Sequence, residues 1–349
     1  MEELIENIVS VANDYRSDAF QFTTDHVRNW VNQFPEQDRL FLLQELNHIL
    51  PDSYISKENA LNTLDTLFET LVEKYNYQDV NQLLEHTCFL DCQDEHKSQT
   101  VLLQFLDELL VEKYGRTVND CGNNEIRFWI YLDDVLASGG TFKSDIIDVV
   151  NDFGAEDFYN SPIKIVAVFF IIHTWGKNNS LFGLQRTIGF DIKNKIDFLR
   201  VKNIDNNPRL HSYHNPNPNF NLAWPKECEE GRTFLDFIEN AFERNYEMRQ
   251  SQFAFRHEGH PINENFFSSP ANRNRYESII LNKGIQIINQ IDNLNAQSLR
   301  PMGMTPPSYK TLGTGTHCFT WRNISNTCPI VYWWEANGWT PLFPVQNRG

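Results

Sequence analysis

Long hydrophobic runs, paired cysteines and an excess of basic charge are all missing from this 349-residue chain. The most apolar stretch, residues 163–172, is too short to cross a bilayer as a helix. It reads instead as a central strand covered on both faces. Six cysteines lie scattered at positions 88, 92, 121, 228, 318 and 328 without CxxC spacing, so neither a zinc ribbon nor a disulfide framework is indicated. Cys88 and Cys92 read as the two faces of a strand and its end rather than as half a metal site. With 30 basic and 46 acidic residues the net charge is −16, and the whole-chain field repels polyanions. Direct nucleic-acid contact is therefore not indicated, although a local basic patch would allow it. The opening Met-Glu-Glu-Leu-Ile-Glu-Asn-Ile lacks the positive region and long apolar core of a signal peptide. What is present, 41% hydrophobic and 13% aromatic residues, is enough for a packed core. The expectation is a folded cytoplasmic protein with no membrane contact.

Residues 1–80 read as a helical support or interaction region. Ile5, Ile8 and Val9 fit one helical face, and residues 20–50 carry Val27, Trp30, Val31, Phe34, Leu40, Leu42, Leu43 and Leu46, mostly at three- and four-residue spacings. Pro51-Asp52-Ser53 is expected to break that run, and a further helical stretch follows through Leu61, Leu64, Leu67 and Leu71. From residue 81 the pattern alternates. A strand is expected at 87–92, a polar loop at 93–99, a helix at 100–114, a strand at 127–132, a helix at 142–153 and a strand at 163–173. Strands separated by helical crossovers predict a parallel sheet in an α/β core spanning 81–205. Beyond it the signal weakens: an Asn- and Pro-rich loop at 211–225, helices near 232–249 and 272–294, then short strands and turns at 312–344. No internal repeat is evident.

The most informative stretch begins at Arg127 and runs Phe-Trp-Ile-Tyr-Leu-Asp133-Asp134-Val135-Leu136-Ala137-Ser138-Gly139-Gly140-Thr141. Its apolar run stops at two adjacent carboxylates, and parallel sheets deliver ligands at their strands' carboxyl ends. Ionised Asp133 and Asp134 suit the hydroxyl donors of a ribose. They also suit Mg²⁺ held through water, because that ion gives up its hydration shell reluctantly. Small residues at 137–141 let backbone amides close around an anion, Gly139 and Gly140 take positive φ cheaply, and Ser138 and Thr141 add hydroxyls. The helix that follows points its positive end at the same place. The order of acids, spacer, glycine turn and helix suits a ribose 5-phosphate.

The segment 130–141 resembles the phosphoribosyl-pyrophosphate (PRPP) motif of type I phosphoribosyltransferases. That resemblance implies that Asp133 and Asp134 hold the ribose hydroxyls and that residues 135–141 cradle the 5-phosphate. It also implies a phosphoribosyltransferase-like core, with residues 206–349 forming a C-terminal α+β hood-like region packed on it. Lys97 and Ser98 lie where such enzymes keep a diphosphate loop. The helical start, the Lys-Ser loop, Asn272-Arg273 with Glu277, and the ending from Thr320 to Pro344 are similar to a branch associated with antiphage conflict systems. The resemblance implies an effector that binds PRPP or a nucleotide with Mg²⁺ and moves or removes a phosphoribosyl group, with protein partners in a defence complex. The interval between Lys97-Ser98 and the acid pair holds about one helix and leaves no room for the long flexible hairpin of typical members, so either a later element such as the Asn-rich 203–221 loop closes the site or the site binds without efficient transfer. A non-catalytic sensing module, or a scaffold subunit, is the alternative.

Other residues read more plainly. His257 and His260 lack metalloprotease spacing and read as loop, and His211 and His214 as solvated. Arg256, Arg273, Arg275 and Lys283 read as salt-bridged helix surface, with a basic patch as the alternative. Trp333, Trp334 and Trp339 read as C-terminal packing rather than base-stacking platforms.

Overall fold

The structure, a computed structural model, describes residues 1–93, 98–189, 191–206, 220–292, 294–335 and 338–345. Lys97, His211, His214 and most of the 203–221 loop thus lie outside the described residues. In chain order the elements are α1 (Glu2–Val11), α2 (Thr24–Asn32), α3 (Glu36–Ser53), β1 (Tyr54–Ile55), α4 (Lys57–Tyr75), α5 (Val80–Glu85), β2 (Thr87–Phe89) and α6 (Ser98–Tyr114). Then come β3 (Phe128–Leu136), α7 (Gly140–Phe153), α8 (Ala155–Asn160), β4 (Lys164–His173), α9 (Thr174–Ile188) and β5 (Ile196–Ile204), and finally α10 (Glu229–Ala241), α11 (Pro270–Asn289) and β6 (Phe319–Thr320). By internal contacts the chain divides into two units: Met1–Ser56 with Ile204–Gly349, and Lys57–Asn203. Where the sequence reading drew three consecutive regions, the contacts group the first helices with the C-terminal part and give α4 and α5 to the sheet.

In the discontinuous unit, α1 and α2 pack with α3, and α3 packs with α11. Trp30 stacks on Tyr332 at 5.6 Å, and its indole N–H donates to the Val331 carbonyl. Tyr54 and Ile55 pair in parallel with Phe319 and Thr320. The 3.6-residue spacing read over 20–50 is real but belongs to two helices, divided at residues 33–35. Pro51 does not break the second of them: it sits in the last turn of α3, which runs on to Ser53.

The contiguous unit carries a four-stranded sheet in the order β2-β3-β4-β5, with β2, β3 and β4 parallel. β4 reads Lys-Ile-Val-Ala-Val-Phe-Phe-Ile-Ile-His, and every residue after the first is buried, as expected for a strand covered on both faces. On one face Trp129, Tyr131, Ile165, Ala167 and Phe169 form a core with Phe142, Ile146 and Val150 of α7 and Leu184 of α9. The i, i+4, i+8 spacing in α7 places its three residues on one stripe. α6 packs on β3 and against α4, and Phe128 meets the Tyr75 ring at 4.5 Å. β5 was not foreseen. Its interior mixes Asp197, Arg200 and Lys202 with half-exposed neighbours, so the period-two signal is faint.

Among the described residues, no helix is long and apolar enough to cross a membrane.

Candidate functional site

Asp133 and Asp134 lie within β3, not at its end. Asp133, Val135 and Leu136 keep ladder partners Phe169, Ile171 and Ile172 in β4, so the strand outlasts the expected stop at Leu132. The drop in hydropathy at the acid pair reports a change in side-chain surroundings, whereas pairing is a backbone property. The chain leaves the sheet after Leu136, passes through 137–139, and enters α7 at Gly140, two residues before the expected start.

Successive strand side chains point to opposite faces. Asp133 therefore shares its face with Tyr131 and with α7, while Asp134 points to the other. Asp133 is buried at 8% exposure and fully engaged. Its Oδ1 accepts the Asp134 N–H at 2.8 Å, its Oδ2 accepts from Gln93 Nε2 at 3.3 Å, and the Ser98 hydroxyl also donates to it. Burial first, and the Asp134 charge second, push its carboxyl up to about 7 against the pull of those donors. Tyr131 donates its hydroxyl to Asp145 Oδ2 at 2.7 Å and accepts from Gln93 at 2.9 Å. Burial and the two carboxylates raise that phenol well above its ordinary value. Gln93, Tyr131 and Asp145 were missed in the sequence. Tyr131 was findable, standing one strand period before Asp133; Gln93 and Asp145 had no signal beyond being polar.

The turn after β3 has an inner and an outer side. Gly139 is buried at φ +75°, and a Cβ there would sit 2.4 Å from the Gly176 carbonyl and 2.8 Å from Ser180 Cβ. A Cβ on Gly176 would lie 1.9 Å from the Ala137 carbonyl, so the turn and α9 touch backbone to backbone. Leu136 joins the core, Val135 and Ala137 are half-buried, and Ser138, Gly140 and Thr141 are exposed. Ser138 Oγ accepts the Gly140 N–H at 3.3 Å, and Asn179 donates to the Ser138 carbonyl at 3.2 Å. The cap residue of α7 is Gly139, which has no side chain to satisfy the first-turn amides. The outer side thus presents two hydroxyls and a helix N-terminus.

Ser98 opens α6, and its hydroxyl reaches Asp133 of the acid pair. Next to it Gln99 is buried, with Oε1 accepting the Cys92 N–H at 2.6 Å and Nε2 without an acceptor among the described residues. Between α6 and β3 the chain holds a single short 3-10 turn (Val118–Asp120) and no hairpin. No group of three His, Cys, Asp or Glu residues with metal-holding geometry occurs among the described residues. Two adjacent carboxylates without a third are a donor set that fits Mg²⁺ arriving with water and ligand phosphates, and does not fit a dehydrated protein cage.

The remaining candidates fall into place as structure. Arg256 and Arg273 are corrected: they are buried, not surface. Glu277 accepts from Arg256 at 2.7 Å and Arg273 at 3.2 Å, and Arg273 also meets Glu264 at 2.5 Å. Both guanidiniums also donate to carbonyls at Phe220, Leu222 and Trp224, which have no charge to mark them in the sequence. Arg275 pairs with Asp38, and Lys283 lies over the Phe34 and Trp339 rings. Trp333 and Trp339 are buried, donating to the Cys328 and Val331 carbonyls.

No curated protein and no solved structure matches the sequence. The PRTase-CE family profile, in contrast, matches residues 27–345, which takes in the acid pair, the glycine turn and nearly all of both units. By that match the chain belongs to PRTase-CE, a phosphoribosyltransferase-like family.

Proposed function

We propose that this protein binds a 5-phosphoribosyl ligand, PRPP or a nucleotide, together with Mg²⁺, at the junction of β3 and α7. The observation that carries the reading is the continuity of acid pair, exposed hydroxyl turn and a helix N-terminus whose cap residue is glycine within one strand-turn-helix. The 5-phosphate would lie against Ser138, Gly140, Thr141 and the first-turn amides, where dipole and donors favour an anion. Asp134 serves the ribose hydroxyls directly. Asp133, on the opposite face of β3, acts through its Oδ1, which accepts the Asp134 N–H and holds it more firmly once ionised. Mg²⁺, brought by the ligand's phosphates, would neutralise charge beside the carboxylates and keep most of its water shell. Lys97 and Ser98 stand nearest in sequence to the diphosphate side. In the cell the reading is a cytoplasmic antiphage effector that disturbs nucleotide pools, working with protein partners of a defence complex.

The missing hairpin favours a second reading, in which the site senses the ligand without transferring the phosphoribosyl group. An oxocarbenium-like step needs water kept away, and the short α6–β3 connection supplies no cover. Calorimetry with PRPP and Mg²⁺, followed by an assay for diphosphate release, separates the two. Binding with turnover supports the transferase; binding without turnover supports the sensor. Asp134→Asn should weaken binding about tenfold or more in either case. If PRPP and nucleotides fail to bind at millimolar concentration with Mg²⁺ present, the site reading is wrong and a scaffold role takes its place.

A further inference from the structure

The other end of the sheet carries a cavity built differently from the β3–α7 junction. It lies where β3 and β4 begin, has a volume of about 460 Å³, and is lined by Tyr75, Tyr77, His86, Arg127, Phe128 and Lys164 among others. That volume falls in the range of small-ligand sites. The acid pair and the glycine turn lie toward the far ends of the same strands, so the two sites do not share residues.

Its wall combines π-faces with cations. Tyr77 meets His86 at 5.6 Å and Phe128 at 5.9 Å, and Tyr75 packs on Phe128. These contacts hold the rings in a cluster along the lining, where a planar ligand finds aromatic neighbours without reorganising them. Lys164 is half-buried, makes no ion pair among the described residues, and has its ammonium 5.8 Å from the Tyr75 ring centroid. Arg127 is exposed and pairs only with exposed Glu125 at 2.7 Å, a contact that an incoming anion can exchange at little cost. Lys195 and Lys74 lie close by; Lys195 feels the Lys164 charge, and Lys74 pairs with Asp197 at 3.0 Å. Arg127 and Lys164 line the cavity and no carboxylate does, so its wall is cationic on a chain of net charge −16. One His86 ring nitrogen bonds the Glu125 carbonyl at 2.7 Å and must donate there, which leaves the other as an acceptor in the neutral ring.

We propose that this cavity is a binding site for a nucleoside monophosphate, its base against Tyr77 and His86 and its phosphate on Lys164 and Arg127. The acceptor nitrogen of His86 suits the exocyclic amine of adenine or cytosine. A single phosphate suits the site better than a polymer, because the whole-chain charge repels a long polyanion while the local cations still hold one.

The test is calorimetric titration of the full chain with AMP, and separately with adenosine and with inorganic phosphate. AMP is expected to bind at least tenfold more tightly than either fragment, since both halves of the wall contribute. Lys164→Gln and Tyr77→Ala should each weaken AMP about tenfold, in line with losing a phosphate cation or a stacking ring. Lys164→Arg and Tyr77→Phe should stay within about threefold of the native chain, which separates lost recognition from lost folding. Asp134→Asn should leave the Lys164-dependent part of AMP binding unchanged, whatever it does to AMP taken up at the β3–α7 junction. The proposal is overturned if inorganic phosphate matches AMP or if AMP does not bind at millimolar concentration. It is equally overturned if a single-stranded oligonucleotide binds far more tightly than AMP, or if Lys164→Gln and Tyr77→Ala have no effect. Sensitivity to Asp134→Asn alone would send AMP to the β3–α7 junction instead, sinking this inference and supporting the other. Failure of PRPP to bind, with AMP still dependent on Lys164, would do the reverse.

Discussion

Asp133 holds its proton to about pH 7, whereas a carboxyl in the unfolded chain releases it near 4. The folded state therefore binds the extra proton between those values, and stability from this group falls as pH rises through that window, then levels off. Asp133→Asn cannot ionise and escapes that loss. The difference in unfolding free energy between variant and native chain is expected to move by about 2–3 kcal/mol in the variant's favour from pH 5 to pH 8. Urea denaturation at the two pH values measures it, and no movement would mean that Asp133 ionises normally. A ligand that needs the carboxylate ionised has the opposite dependence: PRPP affinity should strengthen as pH rises from 6 toward 7.5, approaching tenfold per unit below 7. Calorimetry across that range reads it. At the turn, two adjacent glycines should behave differently. Gly139→Ala meets the Gly176 carbonyl at 2.4 Å on a left-handed backbone, and should destabilise the fold by about 2 kcal/mol or more. Gly140→Ala finds only Ser138 Oγ, at 3.5 Å, and should melt within a few degrees of the native chain. Equal losses from both would show that the turn is not packed as described.

Elements differ in how openly the sequence declares them. β4 was legible to within a residue because it is buried on both faces and nothing polar interrupts it before His173. α7 was legible through its Phe142, Ile146 and Val150 stripe, but its first turn is glycine and threonine and carries no periodicity. β3 was cut short because two carboxylates look like a strand end, although Asp133 is buried by Gln93 and Ser98, which arrive from elsewhere in the chain. β5 was lost for the reverse reason: its pairing is real but its side chains are half-exposed and charged. α11 is the sharpest case. Arg273 and Arg275 read as salt-bridged surface, yet Arg273 and the Glu277 it meets are buried because Arg256 and Glu264 approach from a segment with no regular structure. Removing one member of such a network leaves a buried charge without its partner. Arg273→Met is expected to cost about 3–5 kcal/mol, measured by urea denaturation. A loss under 1 kcal/mol would mean that Glu264 and Glu277 are satisfied without it.

At the scale of the whole molecule, the two units differ in what holds them together. Lys57–Asn203 is one continuous segment that contains its own parallel sheet and the α7–α9 core, the ingredients of a domain that folds alone. The other unit is assembled from both ends of the chain. Its C-terminal part relies on the first helices for the Trp30–Val331 hydrogen bond, the Tyr54–Phe319 pairing, the α3–α11 contact and the Glu45 carboxylate that accepts from Ser268 and Asn272. Without residues 1–56 those partners vanish together: Tyr332 loses its stacking indole, and the Ser268 and Asn272 donors lose their acid. Residues 57–203 expressed alone are therefore expected to melt cooperatively and to give dispersed amide resonances, whereas residues 204–349 alone are expected to do neither. Joining residues 1–56 to 204–349 through a flexible linker in place of the sheet unit should restore a cooperative transition. Two-dimensional NMR and thermal circular dichroism on the three polypeptides decide it. A folded 204–349 fragment, or an unfolded 57–203 fragment, would show that the stability of this chain is distributed otherwise.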